Sequence, residues 1–124
     1  MRNICVFVGS RANYSSIKSA MRAIADHPDL HLQIVVGASA VLDRYGEVEE
    51  LIEAEGFTVD ERVFMILEGE TPLTMAKSTA IGLMELPTVF DRLKPAVGVT
   101  VGDRFETMAT AVAASYMNIP LAHT

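Results

Sequence analysis

The apolar residues of this chain form two kinds of pattern, which alternate along its length. The continuous apolar run at 4–8 predicts a strand that is buried on both faces of a sheet, and the apolar-rich segments 32–36 and 97–101 predict two more strands. A shorter run within 57–64 carries charged residues and predicts an edge strand, and a last strand is expected after Asn118. The pattern therefore predicts five strands.

Four segments with helical spacing connect these strands. The second is interrupted at Gly46, and the third should begin after Thr71 as N-cap, with proline next, and should end or kink at Pro87. In the fourth, Asp103 and Glu106 have the spacing of a capping box. Its apolar face is expected to contain Phe105, Met108, Ala109, Val112, Ala113 and Tyr116.

The order of the predicted elements indicates an α/β domain. Five strands that alternate with four helical connections favour a Rossmann-like parallel sheet with right-handed crossovers, in the order 3-2-1-4-5. In that order the direction of the sheet reverses between the first and fourth strands, so the turns at 9–13 and 102–104 should line one crevice. At 124 residues, the chain is one domain at most.

Composition narrows the possible partners. The formal net charge of -6 argues against a nucleic-acid partner or an anionic membrane surface, because binding to phosphates needs clustered Lys and Arg. Cys5 is the single cysteine and lies in a predicted strand, which indicates a reduced, buried thiol and a cytoplasmic protein. Half of the residues are hydrophobic, so we expect some apolar surface to be covered in a homo-oligomer.

Charged side chains are concentrated where the two predicted turns meet. Arg11 starts the first helix, where backbone N–H groups add to its charge, and this suits an anionic ligand group. Asp103 is either a helix N-cap or a general base, or it binds a sugar hydroxyl; Glu106 is most simply its capping arm. Arg104 is most simply an ion-pair neighbour of these acids. His123 follows the last strand and should point toward the same rim.

Motifs of other nucleotide and metal sites are missing from the sequence. The turn at 9–14 lacks the glycines of the dinucleotide-binding fingerprint, and no Gly-Lys-Ser/Thr of the Walker type occurs. The three histidines and one cysteine do not have metal-ligand spacing, so no metal is expected.

Several motifs in order give the chain a resemblance to a known family. They are Gly-Ser-Arg-Ala-Asn-Tyr at 9–14, Thr-Pro-Leu-Thr-Met-Ala-Lys-Ser at 71–78, and Gly-Asp-Arg-Phe-Glu at 102–106 with Met-Asn-Ile-Pro-Leu-Ala-His at 117–123. Together they resemble the hydrolysing UDP-N-acetylglucosamine 2-epimerases, and the first motif is closest to the sialic-acid-type branch. Two positions depart from the family pattern: Asn13 replaces the usual acid, and Ser16 stands where many relatives carry Lys.

The resemblance implies a two-domain enzyme with a glycosyltransferase-B-like fold and without a metal or redox cofactor. Such an enzyme eliminates UDP from UDP-N-acetylglucosamine, or from a related sugar nucleotide of the bacillosamine type, and hydrates the glycal to N-acetylmannosamine. By motif, Asp103 would be a catalytic carboxylate supported by His123, and Ser10, Arg11 and Arg104 would bind the UDP-sugar. The residue types agree with this, because elimination needs a base and positive groups near the departing diphosphate.

Two interpretations of the whole chain remain open at this point. In the first, residues 1–124 are an amino-terminal domain without its carboxyl-terminal partner, because the last predicted strand has no following helix to cover it. Such a chain should be inactive alone, since half of the groups that position the substrate would be missing. In the second, a flavodoxin-like domain binds a nucleotide without turning it over.

Overall fold

The computed structural model describes residues 1–41, 48–66, 69, 71–102 and 104–124. The strands are β1 (Arg2–Val8), β2 (Leu30–Gly37), β3 (Glu61–Val63), β4 (Val97–Thr100) and β5 (Leu121–His123). The helices are α1 (Arg11–Asp26), α2 (Val48–Ala54), α3 (Pro72–Leu93) and α4 (Phe105–Tyr116), with a short 3-10 helix at Ala38–Val41. The predicted interruption at Gly46 lies outside the described residues.

The five strands form one parallel sheet in the order β3-β2-β1-β4-β5, which confirms the predicted topology. β1 is the central strand, and its Ile4 lies between Leu32 of β2 and Val97 of β4. β3 is an edge strand of three residues, as its charged sequence indicated. Because all the strands run in the same direction, their carboxyl ends share one edge of the sheet.

Alternate residues of β1 supply two cores, one on each face of the sheet. Val6 and Val8 pack with residues of α1 and α2, whereas Cys5 and Phe7 pack with residues of α3 and α4. Burying an apolar side chain of this size contributes about 1.5–3 kcal/mol. A strand that is covered on both faces therefore needs a continuous apolar sequence, which is the pattern that predicted it.

Helix α3 begins as predicted. The Thr71 hydroxyl accepts a hydrogen bond from the backbone N–H of Thr74 at 3.2 Å, and the Thr74 hydroxyl accepts one from the backbone N–H of Thr71 at 2.9 Å. Pro72 then occupies the first helical position, where its missing N–H has no helical partner to lose.

Helix α3 does not end at Pro87, so an end at that residue is wrong, while the alternative of a kink stays a prediction. The helix continues to Leu93 and stops where Lys94 adopts a left-handed conformation with φ of 51°. An interior proline costs about 3 kcal/mol because it removes one helical hydrogen bond. Leu86 and Phe90 flank Pro87 and are both buried in the core beside the sheet, and their burial offsets that cost.

Helix α4 begins one residue later than the predicted capping box requires. Its N-cap position is Arg104, whose side chain makes no capping hydrogen bond, and Glu106 is the second helical residue instead of the third. The predicted role of Glu106 as a capping arm is therefore wrong. Asp103, the other member of the predicted box, lies outside the described residues.

The buried face of α4 also differs from the predicted one. Met108 and Tyr116 are 61% and 84% exposed. A β-carbon added to Gly82 of α3 would lie 3.1 Å from the Ala109 β-carbon, so the two helices pack closely. Such a close approach requires small side chains on the face of α4 that packs against α3. The size of the residues therefore decides which face of α4 is buried. The buried residues of α4 are Glu106, Ala109, Thr110, Ala113 and Ala114.

Candidate functional site

The carboxyl ends of β1 and β4 lie side by side at one edge of the sheet. Val6 of β1 pairs with Val99 of β4, and each strand leads through a turn into a helix. The helix after β1 packs on one face of the sheet and the helix after β4 packs on the other. The two turns thus lie at the point where the helices change from one face of the sheet to the other, which is where the predicted crevice would lie and the usual place for a ligand in an open parallel sheet.

Asn13 lies between the two turns. Its Oδ1 accepts a hydrogen bond from the backbone N–H of Gly9 at 3.2 Å, and its own backbone N–H donates to the Ser10 hydroxyl at 3.1 Å. A β-carbon added to Gly102 would lie 3.3 Å from Nδ2 of Asn13. Gly102 itself has a φ of 88°, a conformation that favours glycine. The turns after β1 and β4 therefore meet, as the strand order predicted.

Glu106 is the buried acid of this region. Its side chain is 3% exposed, and its Oε1 lies 3.7 Å from Nε of Arg104. Within the described part of the chain, its Oε2 has no hydrogen-bond partner. Burial raises the pKa of the Glu106 carboxyl, while its own backbone N–H and the Arg104 charge act in the opposite direction. The buried position thus makes the protonated form of this carboxyl more favourable than it is in water.

His123 lies at the same edge, as predicted. Its Nε2 is 2.5 Å from the Gly102 carbonyl oxygen. A carbonyl can only accept, so Nε2 donates this hydrogen bond and Nδ1 is left as the second polar atom of the ring. Backbone hydrogen bonds from Gly102 to Thr124 (3.3 Å) and from Thr124 to Thr100 (3.1 Å) fix the end of β5 beside the turn.

The remaining predicted site residues have different positions. Ser10 is the N-cap of α1 and Arg11 is its first residue, with an exposed side chain at the crevice edge of the sheet. Arg104 is exposed as well, and its guanidinium carbon lies 5.7 Å from the centre of the Phe105 ring. Asp103 lies outside the described residues. The structure thus places Ser10, Arg104 and His123 around the two turns, while the predicted facing of Arg11 and Asp103 stays a prediction.

Other chemistry has less support in the described residues. No group of three or more His, Cys, Asp or Glu side chains among them is arranged to hold a metal ion. No helix in the described ranges is both long and apolar enough to cross a membrane. Cys5 is buried in the sheet, and burial together with the negative charge of Asp60 raises its thiol pKa to about 12.

Sequence reasoning missed the position of Glu106. Its position three residues after Asp103 predicts a helix-capping role. A different signal was present: Glu106 shares a helical stripe with Ala109, Thr110 and Ala113, at spacings of three, four and seven. A stripe of small residues marks the face of a closely packed helix, and an acid within such a stripe is buried.

A family model described as UDP-N-acetylglucosamine 2-epimerase matches residues 22–124. The chain belongs to this family. It is 28% identical, over 98% of its length, to the GDP/UDP-N,N'-diacetylbacillosamine 2-epimerase (hydrolyzing) of Campylobacter jejuni, of which it covers 32%. It is 29% identical, over 99% of its length, to the UDP-N,N'-diacetylbacillosamine 2-epimerase (hydrolyzing) of Legionella pneumophila, of which it covers 33%.

The fold is that of solved epimerases of the family. The crystal structure of UDP-GlcNAc 2-epimerase from Neisseria meningitidis, bound to UDP-GlcNAc, matches 99% of this chain with a TM-score of 0.81 and 19% identity. The match covers 32% of that structure. The chain thus spans about a third of the length of the relatives it matches.

Proposed function

We propose that this chain supplies part of the active site of a hydrolysing sugar-nucleotide 2-epimerase. The substrate is UDP-N-acetylglucosamine or a related UDP-2-acetamido sugar. The observation that carries the proposal is the meeting of the turns after β1 and β4 through Asn13, in a chain that belongs to this epimerase family. A crevice at this position suits a nucleotide sugar, whose diphosphate can lie near the start of α1.

In the proposed reaction, the Asp103 carboxylate removes the proton from C2 of the sugar. The electron pair of that C–H bond forms a double bond between C1 and C2, and the bond from C1 to the diphosphate oxygen breaks. The electron pair of the broken bond leaves with UDP. Water then adds across the double bond, with hydroxyl at C1 and a proton on the opposite face of C2, which gives N-acetylmannosamine from UDP-N-acetylglucosamine.

The groups around the turns have matching roles in this scheme. Arg11, Arg104 and the first N–H groups of α1 would stabilise the charge that develops on the departing diphosphate. The Ser10 hydroxyl would contact the same group. His123 is held by the Gly102 carbonyl through Nε2, so its Nδ1 would be available to a sugar hydroxyl.

The scheme places most of the positioning of the substrate outside this chain. The chain spans about a third of its relatives, and correct positioning can account for about 7–11 kcal/mol of a reaction barrier. We therefore expect the 124 residues alone to release no measurable UDP from UDP-N-acetylglucosamine, and we expect turnover in a longer protein that carries them. Clear turnover by the isolated chain would contradict this part of the proposal.

The experiment measures UDP release and melting temperature for variants of such a longer protein. Asp103→Asn should lower kcat by about 10²-fold or more without lowering the melting temperature, because a general base is lost while the shape is kept. Arg11→Ala should lower kcat/KM by weakening contact with the diphosphate. Arg2→Ala is the matched control, since Arg2 is an exposed arginine at the opposite end of β1.

Two results would contradict the proposal. Loss of activity in Asp103→Asn that follows loss of the fold would make Asp103 a structural residue. Binding of UDP without release of UDP from either UDP-N-acetylglucosamine or UDP-N,N'-diacetylbacillosamine would favour a binding module instead of an enzyme.

A further inference from the structure

The buried carboxyl group of Glu106 has no role in the proposed reaction. Its side chain is 3% exposed, and its Oε2 has no hydrogen-bond partner within the described residues. A buried polar atom without a partner costs free energy that an apolar side chain would avoid. Such groups in native structures are often found where function requires them.

Glu106 contacts the turn after β1 directly. A β-carbon added to Gly9 would lie 3.0 Å from both Cγ and Oε1 of Glu106, and 3.1 Å from Oδ1 of Asn13. Glu106 therefore occupies the space that a side chain at position 9 would need. Because Asn13 also reaches the turn after β4, the Glu106 carboxyl lies where both walls of the crevice come together.

We propose that Glu106 is a positioning residue of the crevice, which in its neutral, protonated form lets the turn after β1 lie against the start of α4. Ionisation places a poorly compensated charge beside Gly9 and Asn13 and moves the two turns apart. The inference rests on the proposed function, because the same two turns would hold the sugar nucleotide. Ionisation would also strengthen the attraction between Glu106 and Arg104, whose Nε lies 3.7 Å from Oε1, and so compete with the diphosphate for Arg104.

The surroundings of Glu106 support this assignment. Arg104, at 3.7 Å, is the charged side chain that opposes the effect of burial on its pKa. Gly9, which faces Glu106, and Asn13, which lies beside Gly9, are uncharged, and His123 on β5 is engaged by the Gly102 carbonyl. From α3, the close approach to α4 is through Gly82, which carries no charge. Burial therefore dominates, and the pKa is raised.

The sign of the pH dependence follows from this shift. The carboxyl pKa is above 4.5 in the folded chain, so the folded state keeps a proton that the unfolded state has already lost. Stability therefore falls as the pH rises from 4.5 through the folded-state pKa of Glu106. Glu106→Gln replaces the titrating carboxyl group by a neutral amide, so the fall in stability with rising pH should be absent in this variant.

The first measurement follows the backbone amide signals of Gly9, Asn13 and Gly102 by NMR between pH 4 and pH 8. In the wild-type chain these signals should shift together with one midpoint above 4.5. The transition should be absent in Glu106→Gln. It should be unchanged in Glu85→Gln, the matched control, because Glu85 is an exposed glutamate on α3. Signals that do not change with pH, or a transition that persists in Glu106→Gln, would overturn the inference.

The second measurement separates protonation from simple packing. Glu106→Gln should unfold at a higher denaturant concentration than the wild type above the midpoint, and this advantage should vanish on acidification toward pH 4.5. Glu106→Ala should be less stable at every pH, because it opens a cavity. Equal loss of stability in both variants would show that Glu106 acts through its volume alone.

The third measurement links the residue to the crevice. In the protein used for the UDP-release assay, KM should rise above the Glu106 midpoint in the wild type and stay constant in Glu106→Gln. If the pH profile of turnover is the same in the wild type and in Glu106→Gln, the positioning role of Glu106 is contradicted, whereas the proposed reaction is not. If no UDP is released but the NMR transition is present, the proposed reaction is contradicted, whereas the effect of Glu106 on the two turns is not.

Discussion

Gly37 offers a sharp test of how tightly the sheet packs around β1. A β-carbon added to Gly37 would lie 2.7 Å from Cζ of Phe7, 3.0 Å from its Cε2 and 3.3 Å from the Val63 carbonyl oxygen. The Phe7 ring is 5% exposed and the carbonyl belongs to the backbone of β3, so neither can easily move away. Overpacking of this kind costs about 1–3 kcal/mol.

The Gly37→Ala variant should therefore be less stable than the wild type by about 1–2 kcal/mol. Part of the overpacking cost is offset, because alanine restricts the unfolded chain more than glycine does, by about 0.4–1 kcal/mol. Gly98→Ala is the matched control: Gly98 is also a buried strand residue, but its added β-carbon would meet Leu121 Cδ1 at 3.2 Å, the tip of a side chain on an edge strand. We expect that change to be within about 0.5 kcal/mol of the wild type.

The assay is denaturant unfolding followed by circular dichroism, for both variants and for a double-mutant cycle. Phe7→Leu shortens the side chain that blocks position 37, so Gly37→Ala should cost less in that background, with a coupling energy of about 1 kcal/mol. A Gly37→Ala chain as stable as the wild type would refute the reasoning. An equal loss of stability on Gly37→Ala in the wild-type and Phe7→Leu backgrounds would refute it as well.

Two further predictions concern buried acids that lose protons only at high pH. The Cys5 thiol has a pKa of about 12 and is 2% exposed, so a thiol reagent at pH 8 should label it no faster than the chain unfolds; rapid labelling of the folded chain would contradict its burial. Burial and the hydrogen bond to Glu55 (2.7 Å) raise the Tyr14 pKa to about 12, so stability should fall as the pH rises from 10 toward 12. Because the raised pKa of Cys5 causes a decline of its own, the decline should be smaller in Tyr14→Phe than in the wild type and unchanged in Tyr116→Phe, and an equal decline in all three chains would exclude Tyr14 as a source.

The sequence predicted the sheet because the signals for strands are local and strong here. β1 is buried on both faces and so needs a continuous apolar run, β2 is apolar from Leu32 to Val36 except at Gln33, and the strand order follows from a few topological rules. The convergence of the turns near Gly9 and Gly102 followed from that order. The strand order depends on patterns along the chain and not on side-chain contacts, so it can be predicted from the sequence alone.

The errors arose where tertiary packing overrides a local rule. A proline signals a helix end, but Pro87 lies between buried neighbours in α3, and the core holds the helix together there. Apolar spacing suggested that Met108 and Tyr116 are inside, but the close approach of α3 at Gly82 admits only small residues. The contact between two helices cannot be deduced from the periodicity of either helix alone.

The amide at position 13 has a physical reason in the nearby carboxyl group of Glu106. The resemblance of the first motif to the family implies an acid at position 13, and here the position is an amide. Asn13 Oδ1 and Glu106 Oε1 lie within 3.1 Å of the same point, the β-carbon position of Gly9. Two carboxylates beside the same glycine would repel each other, which would raise the pKa of at least one of them. The amide avoids this repulsion while its oxygen still accepts the hydrogen bond from Gly9, so the exchange at position 13 removes one negative charge from the wall where Glu106 is buried.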